Sequence, residues 1–206
     1  MAILGPMSLE VRKATREETR SIAEILAAAF ATDPVMSWVM REPTDAERRL
    51  GIMFRGVLDR AASAPDHELY VTGDGSGAAL WFGVNRWKSS LGDALRTAPA
   101  LWRSGFMSLR GMRLYGAMQQ RHPKEPHFYL EIVGTRPDRQ GEGVGSALLD
   151  PVLARCDEEG VPAYLENSNP RNTAFYFRHG FQPMTAFPLP PGCPPLVPMW
   201  RSPRGR

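Results

Sequence analysis

The sequence predicts a single domain of the α/β (α+β) class, in which helices flank a central sheet of six to seven strands. Three observations support this prediction. The chain has 206 residues, of which 43% are apolar and 23% charged, as expected for one domain with a sizeable core. Short segments rich in aromatic and β-branched residues alternate with longer segments that have apolar residues at helical spacing. One such strand, residues 128–133, leads through a glycine-rich turn into a helix.

Boundary signals define the elements of the N-terminal half. A short strand around Val11 comes first, and Thr15 and Glu18 then have the spacing of a capping box at the start of a helix. Asp33-Pro34 ends that helix, and a loop is expected there. The remaining elements predicted for this half are an amphipathic helix over residues 45–64 and a hairpin of strands 68–72 and 78–84.

The middle and the C-terminal end of the chain are rich in helix breakers. Residues 89–120 have a helical pattern that we expect to be interrupted at Pro99. After residue 180 the chain is proline-rich, which predicts two short strands, around 181–187 and 196–201, joined by a proline loop. The domain is taken to span residues 1–206, with a leader at residues 1–6 and a disordered tail at residues 202–206.

Charge and cysteine content exclude several classes of function. The net charge is only +3, which does not indicate a nucleic-acid partner. The longest apolar runs are too short to span a bilayer, so no membrane partner is expected. Cys156 and Cys193 have no metal-ligand spacing, nor do the four histidines, so no metal is expected. Two cysteines without a disulfide framework are typical of a reduced, cytoplasmic protein.

The glycine-rich turn predicts an anion site. Gly141, Gly143 and Gly145 alternate just before a helix, where backbone N–H groups and the positive end of the helix dipole favour a phosphate. No lysine follows the glycines, so the turn is not a P-loop, and the spacing also fails the dinucleotide fingerprint. The pattern that does match is Gln-x-x-Gly-x-Gly, which starts at Gln140.

A second motif follows the next predicted strand, residues 163–165. Asn169-Pro170 reads as an N-cap with proline at the first helical position, and Gly180 is placed to end the helix. On this helix Asn169, Asn172 and Tyr176 are spaced three and four residues apart, so they share one face. Two amides and a phenol on one face suit a polar ligand better than a core.

These two motifs resemble the GNAT superfamily of acyl-CoA-dependent N-acetyltransferases. The segment 123–181 is further similar to the puromycin N-acetyltransferase group. The resemblance implies a mixed, mostly antiparallel sheet whose fourth and fifth strands splay apart to form a slot for acetyl-CoA. The residues that it assigns to binding of this co-substrate are Val133, Gly134, Thr135, Gln140, Gly141, Glu142, Gly143, Val144, Gly145, Ser146, Asn169, Asn172 and Tyr176.

The implied chemistry is acetyl transfer to an amine by direct attack. Tyr176 occupies the position of the general acid that protonates the departing thiolate, although a tyrosine that only packs on the sheet is the alternative. Glu131 and Glu166 are the candidate general bases, since a carboxylate in an apolar strand is costly to bury without a partner or a task. Glu131 has the same strand parity as Tyr129 and Val133, so we expect it on their face of the sheet. Either carboxylate could instead pair with an arginine.

The acceptor is the least defined part of the prediction. The resemblance favours the primary amine of a small, aminonucleoside-like or antibiotic-like molecule, and thus a role in antibiotic resistance. Trp38 and Trp81 are the candidate acceptor-binding residues, and simple packing is the alternative for Trp38. A non-catalytic acyl-CoA sensor and a protein or peptide N-acetyltransferase stay open as alternatives, as does a homodimer.

Overall fold

A seven-stranded sheet forms the centre of the protein, in a computed structural model that describes residues 9–41, 43–63, 67–88 and 90–205. The strand order is β1-β2-β3-β4-β5-β7-β6, and only the β4–β5 pair is parallel. The mixed, mostly antiparallel sheet is therefore confirmed. Its strands are Val11–Lys13 (β1), His67–Thr72 (β2), Gly77–Phe82 (β3), Phe128–Thr135 (β4), Ala163–Asn167 (β5), Gln182–Pro183 (β6) and Val197–Arg201 (β7).

Helices cover both faces of the sheet. They are Thr19–Phe30 (α1), Pro34–Met40 (α2), Ala46–Ala61 (α3), Leu91–Ser104 (α4), Leu109–Arg121 (α5), Val144–Glu159 (α6) and Thr173–Arg178 (α7). Residues of α1 and α3, such as Leu26 and Leu58, pack on one face together with Tyr129 and Tyr164 of the sheet. Residues of α6 and α7 pack on the other face. We call these the α1/α3 face and the α6/α7 face.

Helix boundaries differ from the prediction at two points. Asp33 does not lead into a loop, because its carboxylate accepts from the N–H groups of Val35 and Met36 and so caps α2. The break in the segment 89–120 lies at Gly105 and not at Pro99. Pro99 is contained within α4, whereas Gly105 adopts φ +79° and ends that helix.

The C-terminal end of the chain adds two strands to the sheet. The expected leader, residues 1–6, lies outside the described residues. The two predicted C-terminal strands are present, although β6 is only two residues long. The tail is described as far as Gly205, and the backbone N–H of Arg204 donates to Asp157 of α6 at 2.7 Å. Within the described ranges no single helix is long and apolar enough to cross a membrane; α1 and α2 pass such a test only as a pair bent by 100°.

A β-bulge in β4 sets the geometry of the site. Leu80 of β3 pairs with Ile132, but Trp81 pairs with Leu130, so Glu131 is an extra residue with no partner in β3. The bulge reverses the alternation of side chains along β4. Tyr129 and Ile132 pack on the α1/α3 face, whereas Leu130 packs on the α6/α7 face.

Strands β4 and β5 separate after three residue pairs. Phe128, Tyr129 and Leu130 pair with Ala163, Tyr164 and Leu165, and no further pairs follow, although β4 continues to Thr135. Beyond this point β5 pairs with β7 alone. The splayed strands implied by the resemblance are therefore present, and the edge of β4 from residue 131 to 135 is left without a strand partner.

Candidate active site

The glycine loop offers a row of unpaired backbone donors. Gly141 and Gly143 have φ values of +85° and +84°, which glycine adopts without strain, and α6 begins at Val144. The first hydrogen bond of α6 is donated by the N–H of Ala147 to the Gly143 carbonyl. Among the described residues, the N–H groups from 141 to 146 donate to no other protein group. They therefore form, with the α6 N-terminus, a site that fits a pyrophosphate.

Close packing beside the loop depends on Gly145. A Cβ atom at this position would lie 3.1 Å from the Phe175 ring of α7, so a larger residue would push α6 and α7 apart. The side chain of Glu142 is held by Arg139, whose Nε lies 2.8 Å from its carboxylate. Gln140 reaches back to the Thr135 carbonyl at 3.4 Å. Glu142 can thus contribute its N–H group to a ligand, but not a free carboxylate.

The conformation of Gly143 provides a test of this loop. Replacing Gly143 with alanine should raise the KM for acetyl-CoA several-fold, because a Cβ at φ +84° costs about 1–2 kcal/mol and the loop will shift to relieve it. No atom lies within 4 Å of the added Cβ, so backbone strain alone is tested. Gly116→Ala is the matched control, since Gly116 is also open but helical. An unchanged KM in Gly143→Ala would argue against a phosphate-binding role for the loop.

The bulge directs two backbone donors to the open edge of β4. The N–H of Arg136 donates to the carbonyl of Ser76, the residue just before β3, at 2.9 Å. Because N–H groups alternate between edges, that of Gly134 also faces β3, whereas those of Val133 and Thr135 face the split. The N–H of Gly134 therefore does not face the co-substrate slot, although Gly134 was predicted to bind the co-substrate. Its missing side chain lets α1 approach, since a Cβ there would lie 2.8 Å from that of Ala29.

Tyr176 lies beside the split on the α6/α7 face. Its side chain is buried, and its hydroxyl makes no hydrogen bond within the described chain. Burial, and to a smaller extent the nearby charge of Asp33, raises the pKa of Tyr176 above its ordinary value. The phenol therefore keeps its proton at neutral pH, as a general acid must.

The asparagines of the second motif play different parts. Asn169 caps the turn that leads into α7, because its side chain accepts from the N–H of Arg171 at 3.1 Å. The side chain of Asn172 is exposed and makes no hydrogen bond in the described chain, so it is free to bind a ligand. The predicted helix of this motif consists of a 3-10 turn, Pro170–Asn172, followed by α7.

Glu166 lies on the opposite face from Tyr176. Its side chain is only 3% exposed and accepts a hydrogen bond from the phenol of Tyr164 at 3.0 Å, and the phenol of Tyr129 lies nearby. Burial raises the pKa of Glu166 to about 7, opposed by the two phenols and assisted by the charge of Glu131. A buried carboxyl that is half ionised near neutral pH is suited to general base catalysis.

Glu131 is in a different environment. The expectation that it shares the face of both Tyr129 and Val133 is wrong, because the bulge turns Val133 to the α6/α7 face. Both oxygens of Glu131 lie 3.3 Å from Nη2 of Arg60, on α3. Burial raises the pKa of Glu131, while Arg60 lowers it. The carboxylate is thus held in an ion pair, with a quarter of its side chain exposed.

Comparisons with known proteins show which family the segment that carries the site resembles. Residues 94–181, which contain the glycine loop, the open edge of β4 and α7, match the Acetyltransferase (GNAT) family. A crystal structure from Corynebacterium glutamicum, described as histone acetyltransferase HPA2 and related acetyltransferase, has 28% sequence identity and a TM-score of 0.72, and covers 96% of this chain and 98% of that chain. Residues 94–181 thus form a GNAT acetyltransferase domain, and the fold of the chain is that of a GNAT acetyltransferase. Acetyl-CoA is accordingly its co-substrate.

Other similar proteins agree with this GNAT assignment. An uncharacterized N-acetyltransferase of Schizosaccharomyces pombe is 24% identical over 84% of this chain and 74% of its own length. The PaiA N-acetyltransferase of Thermoplasma acidophilum, solved in complex with coenzyme A, is 13% identical, has a TM-score of 0.56 and covers 95% of this chain and 99% of that chain. At this identity the second likeness concerns the fold alone.

The two predicted acceptor residues of this GNAT enzyme differ in position. Trp38 is half-buried in α2, where the guanidinium of Arg110 lies 5.1 Å from its ring centroid. Trp81 is a wrong prediction as an acceptor-binding residue, because its side chain is 0% exposed in the core of the α6/α7 face. Trp81 pairs with Leu130, the β4 residue just before the bulge, and its indole packs among residues of α6.

The acetyltransferase site also includes residues that the sequence did not reveal. Asp33 accepts from Ser168, which follows β5, at 2.6 Å, and thereby ties the start of α2 to the split. In the sequence, Asp33 is recognisable only as an N-cap before a proline, and this pattern predicts the start of a helix and not a functional residue. His122 lies beside Glu166, and His127 contacts His122; the spacing of the two histidines in the sequence does not indicate this. Within the described ranges no three histidine, cysteine or acidic side chains are arranged to hold a metal ion.

Proposed function

We propose that this enzyme transfers the acetyl group of acetyl-CoA to the primary amine of a small molecule, by direct attack of the nitrogen on the thioester. The observation that supports it most is the buried carboxyl of Glu166, with a pKa near neutrality, on the other side of the β4–β5 split from the buried phenol of Tyr176. A base and an acid thus flank the slot from opposite faces of the sheet.

The base acts first. An alkylamine with a pKa of about 10 is mostly protonated at pH 7 and cannot attack until a proton is removed. Glu166 takes this proton, directly or through a water molecule. Glu131 is less suited to the task, because its two oxygens are already engaged by Arg60. Ionised Glu131 also disfavours a second negative charge nearby, which contributes to the raised pKa of Glu166.

Backbone donors and Tyr176 complete the transfer. As the C–N bond forms, the N–H of Val133 stabilises the negative charge on the former carbonyl oxygen. The N–H of Thr135 and the side chain of Asn172 hold the pantetheine arm, and the N–H groups of residues 141–146 hold the pyrophosphate. When the C–S bond breaks, Tyr176 gives its proton to the thiolate and prevents the reverse attack.

The surroundings of Glu166 favour a cationic acceptor with an aromatic or otherwise flat body. Tyr129 and Tyr164 stack with ring centroids 5.9 Å apart, and Trp87 and Trp200 lie at the rim of the same cluster. Aromatic faces next to carboxylates attract amines and planar groups. We therefore propose an aminonucleoside-like or antibiotic-like amine, whose acetylation would inactivate it. The free thiols of Cys156 and Cys193 fit a cytoplasmic location.

A protein or peptide amine is the second candidate, favoured by the description of the Corynebacterium glutamicum relative as a histone acetyltransferase. The charge of the surface opposes a lysine-rich peptide. An open trough of about 1300 Å³ lies over α3, between α1 and α4, and ends at Arg60 next to Glu131. In its lining arginines outnumber carboxylates, so a basic chain would be repelled there.

An acceptor panel distinguishes these functions. Thiol release from acetyl-CoA is measured with aminonucleosides, aminoglycosides, arylalkylamines, polyamines, lysine-containing peptides and free amino acids. We expect kcat/KM to be at least about 10-fold higher for a planar small amine than for any peptide. Faster transfer to a lysine peptide would favour the second candidate. Tight acetyl-CoA binding without transfer to any amine would favour a sensor.

A further inference from the structure

Two buried histidines are hydrogen-bonded to each other, and the second of them, His122, faces Glu166. Nδ1 of His127 lies 2.6 Å from the backbone carbonyl of Glu125, and Nε2 of His127 lies 3.0 Å from Nε2 of His122. Nδ1 of His122 in turn lies 3.8 Å from Oε1 of Glu166. Both histidines are at least nine-tenths buried. Trp87 stacks on His122 with a centroid distance of 3.6 Å, which fixes the plane of that ring.

The partners of these histidines determine where their protons lie. A carbonyl only accepts, so His127 carries its proton on Nδ1 and, as a neutral ring, offers Nε2 as an acceptor. His122 must then donate from Nε2, which leaves its Nδ1 as a bare lone pair facing Glu166. Burial lowers the pKa of both histidines, that of His122 to about 3, so both rings are neutral at physiological pH.

We propose that His127 and His122 act as a tautomer lock, anchored on the Glu125 carbonyl, that presents an unprotonated nitrogen to Glu166 and receives a hydrogen bond from its carboxylic acid form. The inference rests on the proposed role of Glu166 as the base. In this arrangement His122 and His127 are positioning residues, because neither touches the acceptor amine.

The lock serves the step in which Glu166 is protonated. Before the reaction the phenol of Tyr164 donates to the ionised carboxylate, and the phenol of Tyr129 also favours the charged form. The proton from the ammonium group then becomes a carboxyl O–H, and the electron pair of the broken N–H bond stays on the amine nitrogen. A carboxylic acid needs an acceptor for its proton, and Nδ1 of His122 provides one after a small side-chain movement. The imidazoles themselves stay neutral throughout.

The charged and titratable groups around Glu166 and the two histidines come from five parts of the fold. Strand β4 contributes Tyr129 and Glu131, β5 contributes Tyr164, and the segment after α5 contributes both histidines. Lys88, after β3, acts on the lock by disfavouring a positive charge on His122. Arg60 of α3 neutralises Glu131.

The first test compares two substitutions of His127 in the full chain. In His127→Leu the Nε2 proton of His122 loses its acceptor, so the ring moves that proton to Nδ1 and donates to ionised Glu166. We expect the acid limb of the kcat profile to move to lower pH by about one unit, since a donor favours the carboxylate. In His127→Gln the amide oxygen replaces the lost acceptor and restores the position of the limb. No shift in His127→Leu, or equal shifts in both variants, would overturn the lock.

The second test needs no substitution and no activity. ¹⁵N NMR of the parent protein labelled at histidine reports which ring nitrogen carries the proton. The lock requires His122 to be protonated at Nε2 and His127 at Nδ1, and a proton on Nδ1 of His122 would overturn it. A wrong assignment of Glu166 as the base would be detected separately. In that case Glu166→Gln would keep the acid limb, whichever tautomers the spectrum shows.

Discussion

Replacing Tyr176 with phenylalanine is expected to lower kcat by a factor of about 10² to 10³ and to leave the affinity for acetyl-CoA unchanged. The hydroxyl makes no hydrogen bond within the described chain, so its removal leaves no buried group without a partner. The ring itself, which packs against Phe175 and Phe181, is retained. The loss should therefore fall on protonation of the leaving thiolate and not on folding or binding.

Three measurements check this expectation. Steady-state thiol release gives kcat, calorimetric titration gives the dissociation constant of acetyl-CoA, and thermal unfolding gives stability. Tyr115→Phe is the control, because Tyr115 is 47% exposed on α5 and has no role in the proposed chemistry. A Tyr176→Phe enzyme with the turnover of the parent would show that the acid is another group or water.

Replacing Glu166 with glutamine is expected to lower kcat by a factor of about 10² to 10³ and to abolish the acid limb of its pH profile. In the parent the limb should lie near pH 7, because the pKa of Glu166 is raised to about 7 and only the ionised form accepts a proton. Activity thus rises with pH through this range. The amide oxygen of glutamine still accepts from Tyr164, so the cluster keeps its packing.

Glu131→Gln is the matched control for this substitution. It removes the ion pair with Arg60 and is expected to lower the free energy of unfolding by about 1 kcal/mol. Its kcat should change less than about 10-fold, and its acid limb should move to lower pH, since the charge that raises the pKa of Glu166 is gone. If Glu131→Gln and not Glu166→Gln abolished the limb, the two roles would have to be exchanged.

The parts of the site that are local in sequence could be predicted. The glycine loop and the Asn-Pro helix start depend on a few adjacent residues, and Gly143, Asn169 and Gly180 all have the backbone roles that their types indicate. The hairpin between β2 and β3 and the helix α3 follow equally from periodicity.

The bulge at Glu131 could not be predicted, because it depends on how β3 and β4 register and not on a local residue preference. Its effect is large. Without the bulge, the edge assignment seen at Phe128, whose N–H donates to Pro162, would continue along β4 and turn the N–H of Val133 toward β3. The N–H of Val133 can therefore serve as the oxyanion donor only because of the bulge, since regular alternation along β4 would point it away from the split.

The remaining differences come from tertiary contacts between distant residues. The pairing of Glu131 with Arg60 joins residues 71 positions apart, and that of Asp33 with Ser168 joins residues 135 apart. Periodicity describes which face of an element is buried, but not which polar groups meet across the fold. The contact of the two histidines with each other and of His122 with Glu166 also depends on the tertiary fold, because their spacing in the sequence matches no metal-binding pattern.

The proposed reaction is acetyl transfer from acetyl-CoA to an amine by direct attack, with Glu166 and Tyr176 on the two sides of the split. The most direct measurement is mass spectrometry of amine and protein during turnover with the best acceptor of the panel, alongside the release of coenzyme A. Direct attack predicts one N-acetylated amine for each coenzyme A released, and no acetyl group on the protein. Coenzyme A release without an acetylated amine, or an acetylated protein that forms and decays at the rate of turnover, would contradict it.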